Sequence, residues 1–244
     1  MKIKSAIKYQ MFELRYGFLI VYAIIYALLI FQIIINGNMD NISVSNTEFS
    51  TCGFLLIWGV LTMRTHFPFF LQNGISRNTL FVSTVANSTI LSVGMALVAS
   101  LNALFLQLIT NQSGFAFQKM YLDFYPGGYT ARTFFEGWLF LICAHLFCNM
   151  LGFFLSTLYY RMNKITKIIV SAGVPALFIL GLPLVDLNLT HGAIIQGLGK
   201  AILFIMGFLN GNCNPYYAVV SFTILAMIFA GLSYLLLRRA MIRK

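Results

Sequence analysis

Six long apolar runs divide the chain, near 17–35, 52–71, 82–105, 134–158, 168–189 and 216–237, each bounded by polar or charged residues. Within a run the apolar residues are continuous and do not alternate with the period of two that a half-exposed strand requires. In lipid every backbone amide and carbonyl must find a partner within the protein. That restricts a spanning chain to helices or a closed barrel, and continuity selects helices. About 20 residues at about 1.5 Å each cross about 30 Å of hydrocarbon, and each run is close to that length. The pattern predicts an all-α integral membrane protein, one transmembrane domain of six helices over residues 1–244.

Composition agrees: 59% apolar residues, 9% charged residues and a mean hydropathy of +0.84 leave too little polar surface for a water-soluble fold of 244 residues. The net charge of +10 adds orientation. With six crossings, one face holds Lys2, Lys4, Lys8, Arg15, Arg77, Arg161, Lys164, Lys167, Arg238, Arg239, Arg243 and Lys244. The other holds Lys119, Arg132 and Lys200 beside Asp40, Glu48, Asp123, Glu136 and Asp186. The excess of cations in short cytoplasmic segments places both termini in the cytoplasm.

Two further segments are apolar without counting as crossings. Residues 191–211 would carry Lys200 near the middle of a seventh span and move Arg238, Arg239, Arg243 and Lys244 outside, so a short re-entrant or interfacial helix at the outer surface is expected there. Residues 1–16 place Ile3, Ile7, Met11 and Leu14 at helical spacing beside Lys4, Lys8 and Arg15, the pattern of an amphipathic helix on the inner leaflet; a plain basic flank anchoring the first span is the alternative. No small-x-small cleavage site follows the first run, which is therefore read as a retained helix and not a signal peptide.

Candidate chemistry is sparse. The chain lacks a G-x-S-x-G elbow, an H-E-x-x-H pair and paired carboxylates on one helix face. Gly199-Lys200 has Ile194 and Ala201 where a phosphate loop needs Gly and Ser or Thr. Cys52, Cys143, Cys148 and Cys213 lack metal-ligand spacing. Cys143 and Cys148 point to different faces of span four; buried free thiols are the default reading, with a disulfide between Cys52 and Cys213, which lie at outer helix ends, as the alternative. No catalytic, cofactor or metal residues are assigned. The sequons at Asn41, Asn87, Asn111 and Asn188 are short enough to recur by chance.

The turn between spans two and three is the most function-specific pattern. In Phe-Leu-Gln-Asn-Gly-Ile-Ser-Arg-Asn-Thr-Leu-Phe, residues 70–81, Asn73-Gly74 makes a tight turn and Ser76 caps the following helix. Here the chain resembles the permease subunits of type-2 ABC exporters, six-span proteins in which a Gly-hydrophobic-Ser-Arg stretch forms a coupling helix. The layout is similar throughout, from the basic interfacial helix to the basic C-terminal tail. Among the departures are Arg64 and His66 in span two and the Gly-x-Pro steps at Gly173–Pro175 and Gly181–Pro183 in span five.

The resemblance implies a coupling element at Asn73, Gly74, Ile75, Ser76, Arg77 and Asn78, with Ile75 filling a pocket on a partner and Arg77 meeting its acidic groups. It implies two copies of a separate cytoplasmic ATPase that bind ATP and magnesium, a second permease subunit, identical or related, and no nucleic acid. It also implies a bacterial cell membrane and an amphipathic or apolar cargo, with exporters of cytolytic or bacteriocin-like peptides as the similar subgroup. An ordinary tight inner loop is the alternative for this turn. An ATP-independent carrier and a non-transporting scaffold or immunity protein are the alternatives for the whole chain.

Ionisable residues within spans are candidates for a pathway, because in hydrocarbon they must face a bundle interior, a cavity or a headgroup. Arg64, His66, His145 and Asp186 form that set. Snorkelling for Arg64, a core hydrogen bond for His145 and an interfacial position for Asp186 are the alternatives. Pro175 and Pro183 predict bends in span five. Ser92, Ala96 and Ser100 form a small-residue stripe for close helix packing. Phe115, Phe117, Tyr121, Phe124, Tyr125 and Tyr129 around Pro126-Gly127-Gly128 suit an outer interfacial lid or an aromatic belt.

Overall fold

The computed structural model describes residues 3–36, 47–110, 117, 120–121, 130–186, 190–209 and 212–238, and these are almost wholly helical. In chain order they are α1 (Ile3–Asn36), α2 (Thr47–Gln72), α3 (Arg77–Thr110), α4 (Ala131–Arg161), α5 (Lys164–Val185), α6 (Ala193–Ile205) and α7 (Pro215–Arg238). A two-residue antiparallel ladder, β1 (Phe208–Leu209) with β2 (Asn212–Cys213), joins α6 to α7. Among the described residues, α2, α3, α4, α5 and α7 are long and apolar enough to cross a membrane.

The first helix departs from expectation. Residues 3–36 form one helix of 34 residues with no break between a surface segment and a span. The side that faces the bundle carries Ala6, Gln10 and Leu14, while Ile3 and Met11 are exposed. Gln10 Nε2 donates to Thr84 Oγ1 at 3.4 Å, and Tyr26 donates to Asn102 Oδ1, so α1 runs alongside and parallel to α3. The described part of residues 1–16 packs against the bundle beside α2 and α3. Of the apolar stripe, Leu14 turns inward beside the small Ala6 and the polar Gln10, which allow close approach to the neighbouring helices, while Ile3 and Met11 face outward.

α2, α4 and α7 run parallel to one another and antiparallel to α3. Along α2 and α4 the contacts advance together, from Thr51 with His145 to Gly59 with Gly152 and Phe67 with Tyr160. The two helices meet backbone to backbone at the glycines: a Cβ on Gly59 would lie 2.2 Å from the Asn149 carbonyl oxygen, and one on Gly152 would lie 2.1 Å from that of Leu56. Ser92, Ala96 and Ser100 are all buried, as their stripe predicts. Ser88 donates to Asn149 Oδ1 at 2.7 Å, tying α3 to α4. Phe147 lies against Phe222 and Phe229 of α7, and Phe154 packs on Phe229.

One apolar cluster holds Ala6 of α1, Met63, Phe67 and Phe70 of α2, Ile75, Leu80 of α3, Phe153 of α4 and Leu237 of α7. The start of α1, the α2–α3 turn and the end of α7 therefore share one end of the bundle. At the opposite end, Phe117 and Tyr121 are buried among Ala96, Ala99 and Ala103 of α3, Phe140 of α4 and Ala218 of α7. Tyr121 stacks on Phe208 and donates to the Met206 carbonyl at 2.7 Å. Phe115, Phe124, Tyr125 and Tyr129 lie outside the described residues.

α5 stands apart, with no buried residue along Lys164–Ala176, Leu177–Gly181 or Leu182–Val185. It touches α4 through Tyr159 and Ser171, whose hydroxyls are 3.1 Å apart. The two prolines expected to bend it flank a π-helical turn, Leu177–Gly181, in which Leu182 N–H reaches back to the Leu177 carbonyl. Pro183 has no amide hydrogen to donate, and the wider turn takes up that loss while the chain stays helical.

Candidate functional site

The α2–α3 connection is four residues long. Gly74 adopts φ 71°, a left-handed conformation that a side chain disfavours, which reverses the chain right after Gln72. Asn73 Nδ2 donates to the Phe69 carbonyl at 2.7 Å, closing the end of α2. Ser76 Oγ accepts from the Thr79 amide at 3.2 Å and caps α3, as the sequence predicts.

The two residues expected to reach a partner are used within the chain. Ile75 is 3% exposed and sits in the apolar cluster, and its amide donates to the Phe70 carbonyl at 2.9 Å. Arg77 Nη1 donates to the Arg238 carbonyl at 2.8 Å, capping the described end of α7 with a cation where the helix dipole is negative. Asn73, Gly74, Ile75 and Ser76 form a turn, and Arg77 and Asn78 begin α3. Gln72, Asn73, Gly74, Ser76 and Asn78 are its exposed residues.

The four intramembrane candidates do not form one site. His145 is fully buried, with Nε2 2.9 Å from Thr51 Oγ1, and acts as a link between α4 and α2. His66 is 2% exposed, enclosed by Tyr9, Trp58 and Phe70, with Nδ1 3.4 Å from Glu13 Oε2. Glu13 has no role legible in the sequence except as the one acid among Lys4, Lys8 and Arg15. Arg15 is exposed and lies over the Phe12 and Tyr16 rings at 3.7 and 4.7 Å, geometry in which the ring faces attract the guanidinium.

Asp186, directly after α5, has no exposed surface and fastens the turn between α5 and α6. Its carboxylate accepts from the Ile194 amide at 2.8 Å, from the Ile195 amide at 3.1 Å and from the Thr190 hydroxyl. Burial by itself would raise its pKa. The hydrogen bonds from Thr190, Ile194 and Ile195 outweigh that and hold it below the ordinary value of 3.8. Its position accounts for α6 folding back after α5, the short helix expected within residues 191–211.

Arg64 lines a cavity of about 670 Å³ between α2, α4 and α5, together with Lys167, Ser156 and Tyr159. An unpaired Arg at the centre of a membrane helix costs about 3 kcal/mol, so a cavity with other polar groups in its wall is the setting expected for it. Pro68, four residues on, has no amide hydrogen to donate to the Arg64 carbonyl. A second cavity of about 190 Å³ lies toward the other end, walled by Phe49, Phe117, Phe140, Phe147, Met206 and Phe222, with Glu48, Cys52 and Cys148 on its rim. The Cys52 and Cys148 side chains are within hydrogen-bonding reach of each other, and Cys143 turns instead to Thr223. The neighbour of Cys52 is thus Cys148 and not Cys213.

No family model, curated protein or solved structure matches the chain.

Proposed function

We propose that the chain is the permease subunit of an ABC exporter in a bacterial cytoplasmic membrane, with α1 as a sixth crossing and both chain ends in the cytoplasm. It forms half of a translocation path, a second permease subunit forms the other half, and two copies of a cytoplasmic ATPase bind and hydrolyse ATP with magnesium. Lys4, Lys8, Arg77, Arg161, Lys164, Lys167 and Arg238 lie near the bundle end that carries the α2–α3 turn, which supports assigning that end to the cytoplasm.

The observation that carries the reading is the anchoring of this turn. Ile75 packs with residues of α1, α2, α3, α4 and α7, and Arg77 holds the end of α7. A push or pull on Gln72, Asn73, Gly74, Ser76 and Asn78 is transmitted to five helices at once, because a packed core moves as a unit and does not deform continuously. This replaces the earlier expectation for Ile75 and Arg77: they transmit the movement, and the exposed polar residues around them meet the motor. The aromatic and methionine walls of the outer cavity suit an amphipathic or apolar cargo, peptide or lipid-like.

The test is affinity purification of the tagged chain from its own cells in mild detergent. A soluble ATPase with a phosphate loop should co-purify, and Gln72→Trp with Asn78→Trp should reduce it at least tenfold while leaving the bundle folded. Absence of any ATPase from the wild-type sample, or full retention by the double variant, contradicts the proposal.

A further inference from the structure

The cavity between α2, α4 and α5 is large, amphipathic and positively charged. Its volume of about 670 Å³ falls within the about 300–1,000 Å³ typical of small-molecule sites. Arg64 and Lys167 supply two cations, and among the described residues no acid lines it. Among the described residues neither cation is in an ion pair; the pairs found join His66 with Glu13 and Arg132 with Glu136. Ser156 and Tyr159 add hydroxyls to the polar side, while Val60, Leu61 and Leu155 make the remaining wall apolar.

The cavity's position restricts what can fill it. Arg64 is eight residues from the end of α2, about 12 Å at about 1.5 Å per residue, and Lys167 is in the first turn of α5. Lys167 thus lies at the polar boundary of a membrane surrounding the bundle, and Arg64 lies about 12 Å further in. α5 is unburied along its length and meets α4 through Tyr159 and Ser171, so the space beside it opens sideways toward lipid. An occupant must present an anion to Arg64 and Lys167 and an apolar chain to Leu61 and Leu155.

We infer that this cavity is a binding site for an anionic glycerophospholipid, with the phosphate between Arg64 and Lys167 and the acyl chains along Leu61 and Leu155. Basic pockets between membrane helices favour such headgroups, at about fivefold in affinity per Lys or Arg near the surface. The site is independent of the exporter reading and stands whether or not an ATPase associates. Pro68 adds to the design, because the freed Arg64 carbonyl can accept a hydrogen bond from a glycerol hydroxyl of the headgroup.

The experiment is native mass spectrometry of the full chain titrated with phosphatidylglycerol and with phosphatidylcholine of the same acyl chains. Phosphatidylglycerol should bind at least tenfold more tightly. Arg64→Gln and Lys167→Gln should each weaken it about fivefold and together about thirtyfold, while Lys200→Gln at the other end leaves it unchanged. Leu61→Trp, which keeps both charges and fills the cavity, should also weaken binding at least tenfold, so the outcome does not depend on the double variant folding. Equal binding of the two lipids, or binding indifferent to Arg64→Gln, Lys167→Gln and Leu61→Trp, overturns the assignment. Displacement of phosphatidylglycerol by soluble glycerol phosphate at equal concentration would mark a free-anion site and overturns it as well.

Discussion

Replacing Gly152 by alanine adds one methyl group at the tightest point of the bundle. The new Cβ would sit 2.1 Å from the Leu56 carbonyl oxygen and 3.1 Å from the Val60 amide nitrogen, and ordinary contact begins at 3.4 Å. The opposing atoms are backbone, so no side chain can swing away. α2 and α4 must separate by about 1 Å, which is the shortfall between 3.4 and 2.1 Å less what a slight tilt absorbs. Overpacking of this kind costs about 1–3 kcal/mol, and the same separation weakens the Thr51–His145 and Ser156–Gly59 hydrogen bonds, each worth about 0.6 kcal/mol between membrane helices. The expected loss is about 2–4 kcal/mol, read as the midpoint of unfolding in mixed micelles with increasing denaturing detergent. Gly94→Ala is the control, because a Cβ there meets nothing within 4 Å and alanine favours the helix by up to about 1 kcal/mol. Equal stability of Gly152→Ala and Gly94→Ala would refute the backbone contact and with it the packing of α2 on α4.

Three further outcomes follow from the same geometry. Asp186 has a lowered pKa, so its contribution to the turn between α5 and α6 is fully present above 3.8 and is lost as pH falls through the folded value; amide exchange at Ile194 and Ile195, corrected for intrinsic rates, should lose protection only below that range, and Asp186→Asn should lose it at neutral pH. Mild oxidation should join Cys52 to Cys148, seen as a linked peptide pair by mass spectrometry, and a Cys52–Cys213 product in its place would contradict the placement of α2 on α4. Arg77→Gln removes the cation at the end of α7 and should cost about 1 kcal/mol, with raised exchange in the last turn of α7 and none in α5; unchanged exchange there would refute the cap.

Much of the architecture was legible in residue order. Apart from the first helix, which begins at Ile3 and not near residue 17, continuous apolar runs located the long helices to within about five residues. Ser76 announced its cap, and the Ser92–Ala96–Ser100 stripe announced its burial, because both depend on local spacing along one helix. What remained hidden depends on which distant residues meet. The glycine pair at 59 and 152 cannot be recognised from either helix alone, and neither can Ser88 with Asn149. The inward face of the first helix was not legible: of the stripe Ile3, Ile7, Met11 and Leu14, Leu14 is buried, and it is Ala6 and Gln10 that turn inward with it. In lipid, apolar surface gains nothing by burial, and close packing with hydrogen bonding decides the inward face. The candidate site was half legible, since the turn was located but Ile75 and Arg77 face the bundle, and the four ionisable residues of the spans proved to occupy four separate settings.

The central claim is that the chain crosses the membrane an even number of times and presents the α2–α3 turn and the end of α7 to the same compartment. Single cysteines introduced at Ser76, Arg238 and His191 in a background without the four native cysteines can be labelled in intact cells and in inverted vesicles with a membrane-impermeant thiol reagent. The account predicts that Ser76→Cys and Arg238→Cys react only in inverted vesicles and that His191→Cys reacts only in intact cells. Labelling of Ser76→Cys and Arg238→Cys from opposite sides would contradict it.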